Sequence, residues 1–382
     1  MTAGARGRGS FRRPLRRRLR ALKWLGRGLL RTALGASGPA RWRLGGPAPL
    51  AVSGARPPHV RIDPPALTTA LGWPEGGGVP RSVRIFRDSQ GASTIAVLRV
   101  SFRRGHHPES AIAKVFRPFG PREVPRELAA YTSGVLQGLP PPCAVPGVHG
   151  VTDAGGGATT LWLEDVGPLP DRMWHPMSLR EYEIAGEALG GMGGRFASAH
   201  PSAPWLAAGT TVEHGRRWLL GEAWTDRVRA GCALHRRLAR ASARTGALLA
   251  AFSQLRPTLC HQDATPRNLA LGASGSRVVF LDWEACGLGP LGQDLASLVW
   301  SLWRYAGVKS VLECEAAATR GYLVGVEREG GPLTPARRQE IRLAYLVTVA
   351  VRYLVEIVNV ARYDTVDAAT ARFEEAAAMV AG

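Results

Sequence analysis

The chain has 382 residues, 45% hydrophobic and 21% charged, which suffices for one large domain or two lobes with a real core and excludes a wholly disordered protein. No run of ~18 apolar residues occurs, so no transmembrane helix is predicted. The net charge of +19 is lopsided: residues 1–62 carry 15 basic and no acidic side chains, whereas residues 63–382 carry 34 against 30, so a body of only +4 gives no argument for nucleic-acid binding.

In chain order, residues 6–31 pattern as an amphipathic basic helix. Leu15, Leu19, Leu22, Leu25 and Leu29 share one face, and Arg16, Arg17, Arg20, Lys23, Arg27 and Arg31 fall on the other. The pattern fits docking to an anionic membrane or an acidic partner, but a lone basic stripe is weak evidence, and a disordered tail or an upstream stretch from a mis-chosen start codon is the favoured reading. Residues 35–80 are rich in Pro, Gly and Ala and read as linker, with one helical turn near Pro65–Leu71. Strands are then predicted at Ser82–Arg87, Thr94–Phe102, Ala111–Phe116, Val145–Thr152 and Thr159–Glu164. A helix at Arg122–Leu136 follows the third strand. From Ser178 on, helical spacing dominates: Ser178–His200, Glu213–Leu255, Gly292–Tyr305, Val311–Val326, Pro335–Tyr363 and Val366–Met379. One insert, Leu259–Glu284, has strand and loop character.

The expected fold is therefore α+β and bilobed: a small antiparallel β-sheet lobe with one helix, then a large helical lobe. The arm spans residues 1–62, the β-rich lobe 63–165 and the helical lobe 166–382. Five cysteines, none in a CxxC pair, support neither a disulfide framework nor a cysteine zinc site and fit a reducing, cytoplasmic compartment.

The insert carries the chemistry. It reads His261-Gln262-Asp263-Ala264-Thr265-Pro266-Arg267-Asn268, then an apolar strand ending Leu281-Asp282-Trp283-Glu284. Composition alone yields HxDxxxxN at a chance on the order of one in a thousand. These residue types suit phosphoryl transfer, which is mainly positioning and charge stabilisation. Asp263 can accept the proton of an attacking hydroxyl. Asn268 and Asp282 offer a neutral and a charged oxygen to Mg²⁺, which takes the rest of its shell from phosphate and water. The competing reading makes Asp263 a helix cap and His261 a core histidine.

Lys114 sits inside the apolar strand Ala111–Phe116, where a charge needs a partner, and Glu127 on the next helix is the natural one. The pair would aim the ammonium at nucleotide phosphates. Only three of 49 basic residues are lysines, and only Asn268 and Asn359 are asparagines, so each retained one points to a need for its type. The Ser89–Ser93 tip of the first hairpin, with Gly91, could lay N–H groups and hydroxyls over phosphate. Backbone groups of Glu164 and Val166 could meet an adenine edge.

These motifs resemble the aminoglycoside phosphotransferase and choline kinase superfamily, which shares the protein-kinase-like fold. The resemblance rests on His261–Asn268, Leu281–Glu284, Gly292-Gln293-Asp294-Leu295-Ala296 and the helix ending Phe196-Ala197-Ser198-Ala199-His200, with Lys114 and Glu127 as the family's ion pair. It spans roughly residues 82–305. It implies ATP and Mg²⁺, Asp263 as catalytic base, Asn268 and Asp282 as metal ligands, and Asp294, beside His261, as a brace for the loop. Gln262 replaces the family's usual small residue, and Arg267 adds a cation before Asn268. The acceptor expected is a small-molecule hydroxyl on an antibiotic-like compound, sugar, nucleoside or amino alcohol. Aminoglycosides call for an acidic cleft; Asp171, Glu222, Asp226, Glu284, Glu356 and Asp364 are candidates, but the body is not acidic. Two rival readings are a non-catalytic nucleotide-binding scaffold and a membrane-surface lipid or glycolipid kinase docked by the arm.

Overall fold

A computed structural model describes residue 70 and residues 82–87, 93–102, 108–120, 123–167, 177–206, 233–272, 275–301, 308–353 and 363–381. The basic arm lies outside the described residues, as do most of the 35–80 linker and positions 88–92 of the first hairpin.

Five strands form one antiparallel sheet: β1 (Ser82–Arg87), β2 (Thr94–Ser101), β3 (Ser110–Phe116), β5 (Val148–Gly155) and β6 (Ala158–Glu164), in the order β1-β2-β3-β6-β5. Alternation along β3 sorts its side chains between two faces. Ala111, Ala113 and Val115 join Leu98, Val100 and Trp162 in a small core on one face. Phe116 points the other way, into the main core with Leu128, Leu161 and Leu163. Lys114 shares the face of Phe116, which is why a charged residue ends up buried.

Helix α1 (Arg126–Thr132) follows β3 as expected but is only seven residues long. Pro125 caps its start, and Gly134, at φ 85°, ends it; Leu136 falls in a separate 3₁₀ turn, Val135–Gly138. A two-residue strand, β4 (Cys143–Ala144), was not expected. It pairs in parallel with β9 (Val278–Phe280), joining the segment before β5 to the insert.

The helical part is built on α2 (Leu179–Ala197), α3 (Ala233–Gln254), α4 (Gln293–Trp300), α5 (Val308–Gly330), α6 (Pro335–Thr348) and α7 (Tyr363–Ala381). Ser178 and Glu181 close a capping box at the start of α2. The axes of α2 and α5 approach so closely that only glycine fits between them. A Cβ at Gly190 would lie 2.0 Å from the Tyr322 carbonyl oxygen, and one at Gly321 would lie 1.9 Å from that of Glu183. Glycine is a poor helix former, so its repetition here reflects backbone contact. The helix expected over Pro335–Tyr363 changes character partway. Its α-helical part ends at Thr348 and passes into a π-helical turn, Val349–Tyr353.

The insert is held by two small sheets. β7 (Pro257–Cys260) pairs with β10 (Gly287–Pro290), a strand the sequence did not reveal. β8 (Leu269–Leu271) pairs with β9. Among the described residues no helix is long and apolar enough to cross a membrane.

Candidate active site

Between β7 and β8 the chain makes a tight loop, Cys260–Asn268, whose shape is fixed from several sides. His261 is buried and tilts against Trp283, ring centroids 4.5 Å apart. Its Nε2 lies 2.9 Å from the Leu281 carbonyl oxygen, and its Nδ1 accepts the Asp263 N–H at 3.3 Å. One neutral tautomer satisfies both contacts. Burial pushes the imidazole down to about 4, so it stays neutral. Asp294, in the first turn of α4, accepts the N–H groups of His261 and Gln262, one on each oxygen at 2.7 Å. Burial lifts its carboxyl to about 6 against the pull of those hydrogen bonds.

Gln262 has φ 64° and Asp282 φ 63°, the two non-glycine positions with positive φ among the described residues. Such backbone costs about 1–3 kcal/mol and persists where its surroundings over-determine it. One of these residues precedes Asp263 and the other is itself a predicted site residue.

Asn268 clamps the loop from its far end. Its amide nitrogen donates to the carbonyl oxygen and to Oδ2 of Asp263, both at 2.9 Å. That leaves its amide oxygen as the atom suited to a cation. β9 delivers Asp282, whose Oδ1 accepts from Lys114 Nζ at 2.8 Å. Lys114 also pairs with Glu127. The lysine therefore joins strand, helix and insert through one ammonium. Burial alone would depress its pKa, but the two carboxylates outweigh burial and hold it above the ordinary value. Glu127, buried with it, is pushed up by desolvation while Lys114 pulls the other way.

Lys114, Glu127 and Asp282 thus form one cluster, and Asp263, Asn268, His261 and Asp294 another, connected through the backbone of Leu281, whose C=O faces His261 and whose N–H donates to the Asn268 carbonyl. An amide oxygen and a carboxylate oxygen are hard donors that fit Mg²⁺. Among the described residues no cluster of three or more His, Cys, Asp or Glu side chains could hold a metal. Asn268 and Asp282 would therefore need phosphate and water to complete such a shell.

The remaining predicted residues fall differently. Ser89 and Gly91 lie outside the described residues. Ser93 does not face open space: its N–H and hydroxyl both donate to Glu284 Oε1, at 3.3 and 2.9 Å. The Glu164 N–H donates to the Gly147 carbonyl and is already used. Its carboxylate takes both nitrogens of Arg277 at 2.7 Å, which holds it below the usual range. Val166 lies half-buried in the link after β6, where Arg99 bonds Asp165 and the Gly167 carbonyl. Arg267 is exposed. Of the acidic candidates, Asp171, Glu222, Asp226 and Glu356 lie outside the described residues, and only the helical backbone of Asp364 is described.

Sequence reasoning missed Arg352. It sits in the π-helical turn, reaches Asp263 Oδ1 at 3.2 Å and also donates to the Gln262 carbonyl. The signal available was an arginine within the almost wholly apolar stretch 346–355.

Known structures of similar shape include the amicoumacin kinase hAmiN in complex with AMP-PNP, Ca²⁺ and Ami, at 15% identity over 78% of this chain and 89% of that one, TM-score 0.45. A choline/ethanolamine kinase family protein from Mesorhizobium loti is similar at 17% identity over 81% and 90%, TM-score 0.43. A choline kinase from Cryptosporidium parvum is similar at 11% over 78% and 88%, TM-score 0.47. Among curated proteins, none matches the chain. The family model described as the phosphotransferase enzyme family, APH, matches residues 94–330, from β2 to the end of α5 and across the whole connected group. The chain belongs to that phosphotransferase family.

Proposed function

We propose that this protein is an ATP-dependent O-phosphotransferase that moves the γ-phosphoryl group onto a hydroxyl of a small molecule. The observation that carries the reading is the Lys114 ammonium, held at once by Glu127 and Asp282, beside a loop whose Asp263 is clamped by Asn268. In this reading residues 63–165 hold the nucleotide and residues 166–382 hold the catalytic loop and the acceptor.

Lys114 would meet the phosphates of the nucleotide, with Glu127 fixing its direction. Asp263 would orient the acceptor hydroxyl. As the acceptor oxygen bonds to the γ-phosphorus, the bond from that phosphorus to the bridging oxygen of ADP breaks, and the hydroxyl proton passes to the Asp263 carboxylate. Asn268 and Asp282 would hold Mg²⁺, which supplies neutralisation of phosphate charge. Asp294 keeps the peptide groups of residues 261 and 262 fixed, so the base does not drift between turnovers.

The test is Asp263→Asn, assayed with Mg·ATP across aminoglycosides, nucleoside and peptide antibiotics, sugars and amino alcohols. The reading requires acceptor-dependent ATP turnover by the native chain. In the variant turnover should fall by ~100-fold or more, while Mg·AMP-PNP still raises the melting temperature. Nucleotide binding without turnover on any acceptor, in both proteins, would favour a binding scaffold instead.

A further inference from the structure

Asp263 is approached from two directions. Asn268, five residues along the loop, donates to Oδ2 at 2.9 Å. Arg352, 89 residues away, donates to Oδ1 at 3.2 Å. A carboxylate gripped on both oxygens by separate elements cannot rotate about its last torsion without breaking one grip. The same guanidinium bonds the Gln262 carbonyl, which also accepts from Ser297 at 3.3 Å. The N–H of Gln262 goes to Asp294. The left-handed residue before Asp263 is therefore held through both its N–H and its C=O.

The placement of Arg352 is itself unusual. Val349, Ala350, Val351 and Tyr353 of the π-helical turn are all buried, and Arg352 is the turn's one charged member. π turns are rare and recur at functional sites. The Tyr353 ring lies 5.5 Å from the guanidinium carbon.

We propose that Arg352 is a positioning residue: its two-nitrogen fork sets the direction of the Asp263 carboxylate and locks the kink at Gln262. The proposal rests on the reading of Asp263 as the base. Arg352 acts through Asp263 and the Gln262 peptide, so removing it should affect the chemical step more than nucleotide binding. Lysine keeps the charge but replaces the planar two-nitrogen fork with a single ammonium, so it does not reproduce the two separately directed bonds to Gln262 and Asp263.

The experiment compares the native chain with Arg352→Gln, Arg352→Lys and Asp263→Asn. Mg·ATP turnover is followed over the same acceptor panel and with water as acceptor, beside melting curves with and without Mg·AMP-PNP. Expected is a kcat lowered ~10–100-fold in Arg352→Gln, with KM for Mg·ATP within about twofold, and an intermediate kcat in Arg352→Lys. If Arg352→Gln does not fold, the lysine variant carries the test, and native kcat in it overturns the proposal. A glutamine variant with kcat within about twofold of native, where Asp263→Asn is dead, overturns it too while leaving the base assignment standing. If the Asp263→Asn variant keeps native turnover, or no turnover occurs in the native chain, the base assignment falls and the proposal with it. Loss confined to KM, with kcat intact, would also overturn it.

Discussion

Ser93 and Glu284 meet across 191 positions of sequence, the serine giving both its N–H and its hydroxyl to one carboxylate oxygen. The contact ties the start of β2 to the 3₁₀ turn just after Asp282. Ser93→Ala removes the hydroxyl donor and is expected to lower stability by about 1 kcal/mol. A double-mutant cycle with Glu284→Ala, followed by urea denaturation, isolates the hydroxyl–carboxylate pair. Simple additivity would mean that the contact contributes nothing.

Lys114→Met should be more damaging to stability. It leaves Glu127 buried beside Asp282 without the cation that both face. Removing one partner of a buried ion pair costs about 3–5 kcal/mol. Lys114→Arg keeps the charge but asks a guanidinium to fit a seat that is 7% exposed. Turnover in Lys114→Arg is expected to fall ~100-fold with the protein still folded, as checked by kinetics and melting curves together.

His261 gives a pH prediction with a definite sign. Its folded pKa is about 4 against an ordinary 6.5, so between those values the unfolded chain binds a proton that the folded chain does not. Stability from this residue is full above pH 6.5 and is lost as the pH falls toward 4. Asp294, raised to about 6, works oppositely over an overlapping range, so the native slope alone is ambiguous. The difference between native and His261→Gln removes Asp294 from the comparison. From pH 7.5 to 5 the native protein should lose about 2 kcal/mol relative to the variant, measured by urea midpoints at each pH. A constant difference would mean that the imidazole titrates normally.

Gly190 and Gly246 are both helical and should respond in opposite directions to alanine. At Gly190 the new methyl collides with the Tyr322 carbonyl, and α2 and α5 must separate. A loss of about 1–3 kcal/mol is expected. At Gly246, in α3, nothing lies within 4 Å of the new Cβ, so alanine should stabilise by about 0.5–1 kcal/mol. Thermal melts of the two variants decide the matter.

The parts of this site that sequence reveals are those with a local contradiction. Lys114 stands out because a charge interrupts an apolar strand, and His261, Asp263 and Asn268 because their spacing is improbable by chance. The small sheet, with a helix after its third strand, is legible because each of its strands is long enough to alternate. Two-residue β4 and glycine-rich β10 have too few side chains to show a period, so their pairing with β9 and β7 was invisible. The sequence points to the backbone of Glu164, but its carboxylate is committed to Arg277, an attachment that depends on register. Arg352 was hidden for another reason. Val349–Tyr353 has ordinary helical composition, and only the π turn and the packing of α6 bring its guanidinium to Asp263.

The distance along the chain between Asp263 and Arg352 has a consequence for how the protein is made. A nascent polypeptide emerges from the ribosome with His261–Asn268 and Asp282 well ahead of residue 352. Once Ala296 is made, every recognisable motif residue has been synthesised, yet the Asp263 carboxylate still lacks the Arg352 guanidinium. A product cut short there by a nonsense codon or a protease would still match the motif and still contain Lys114. It would not hold the loop as the complete protein does.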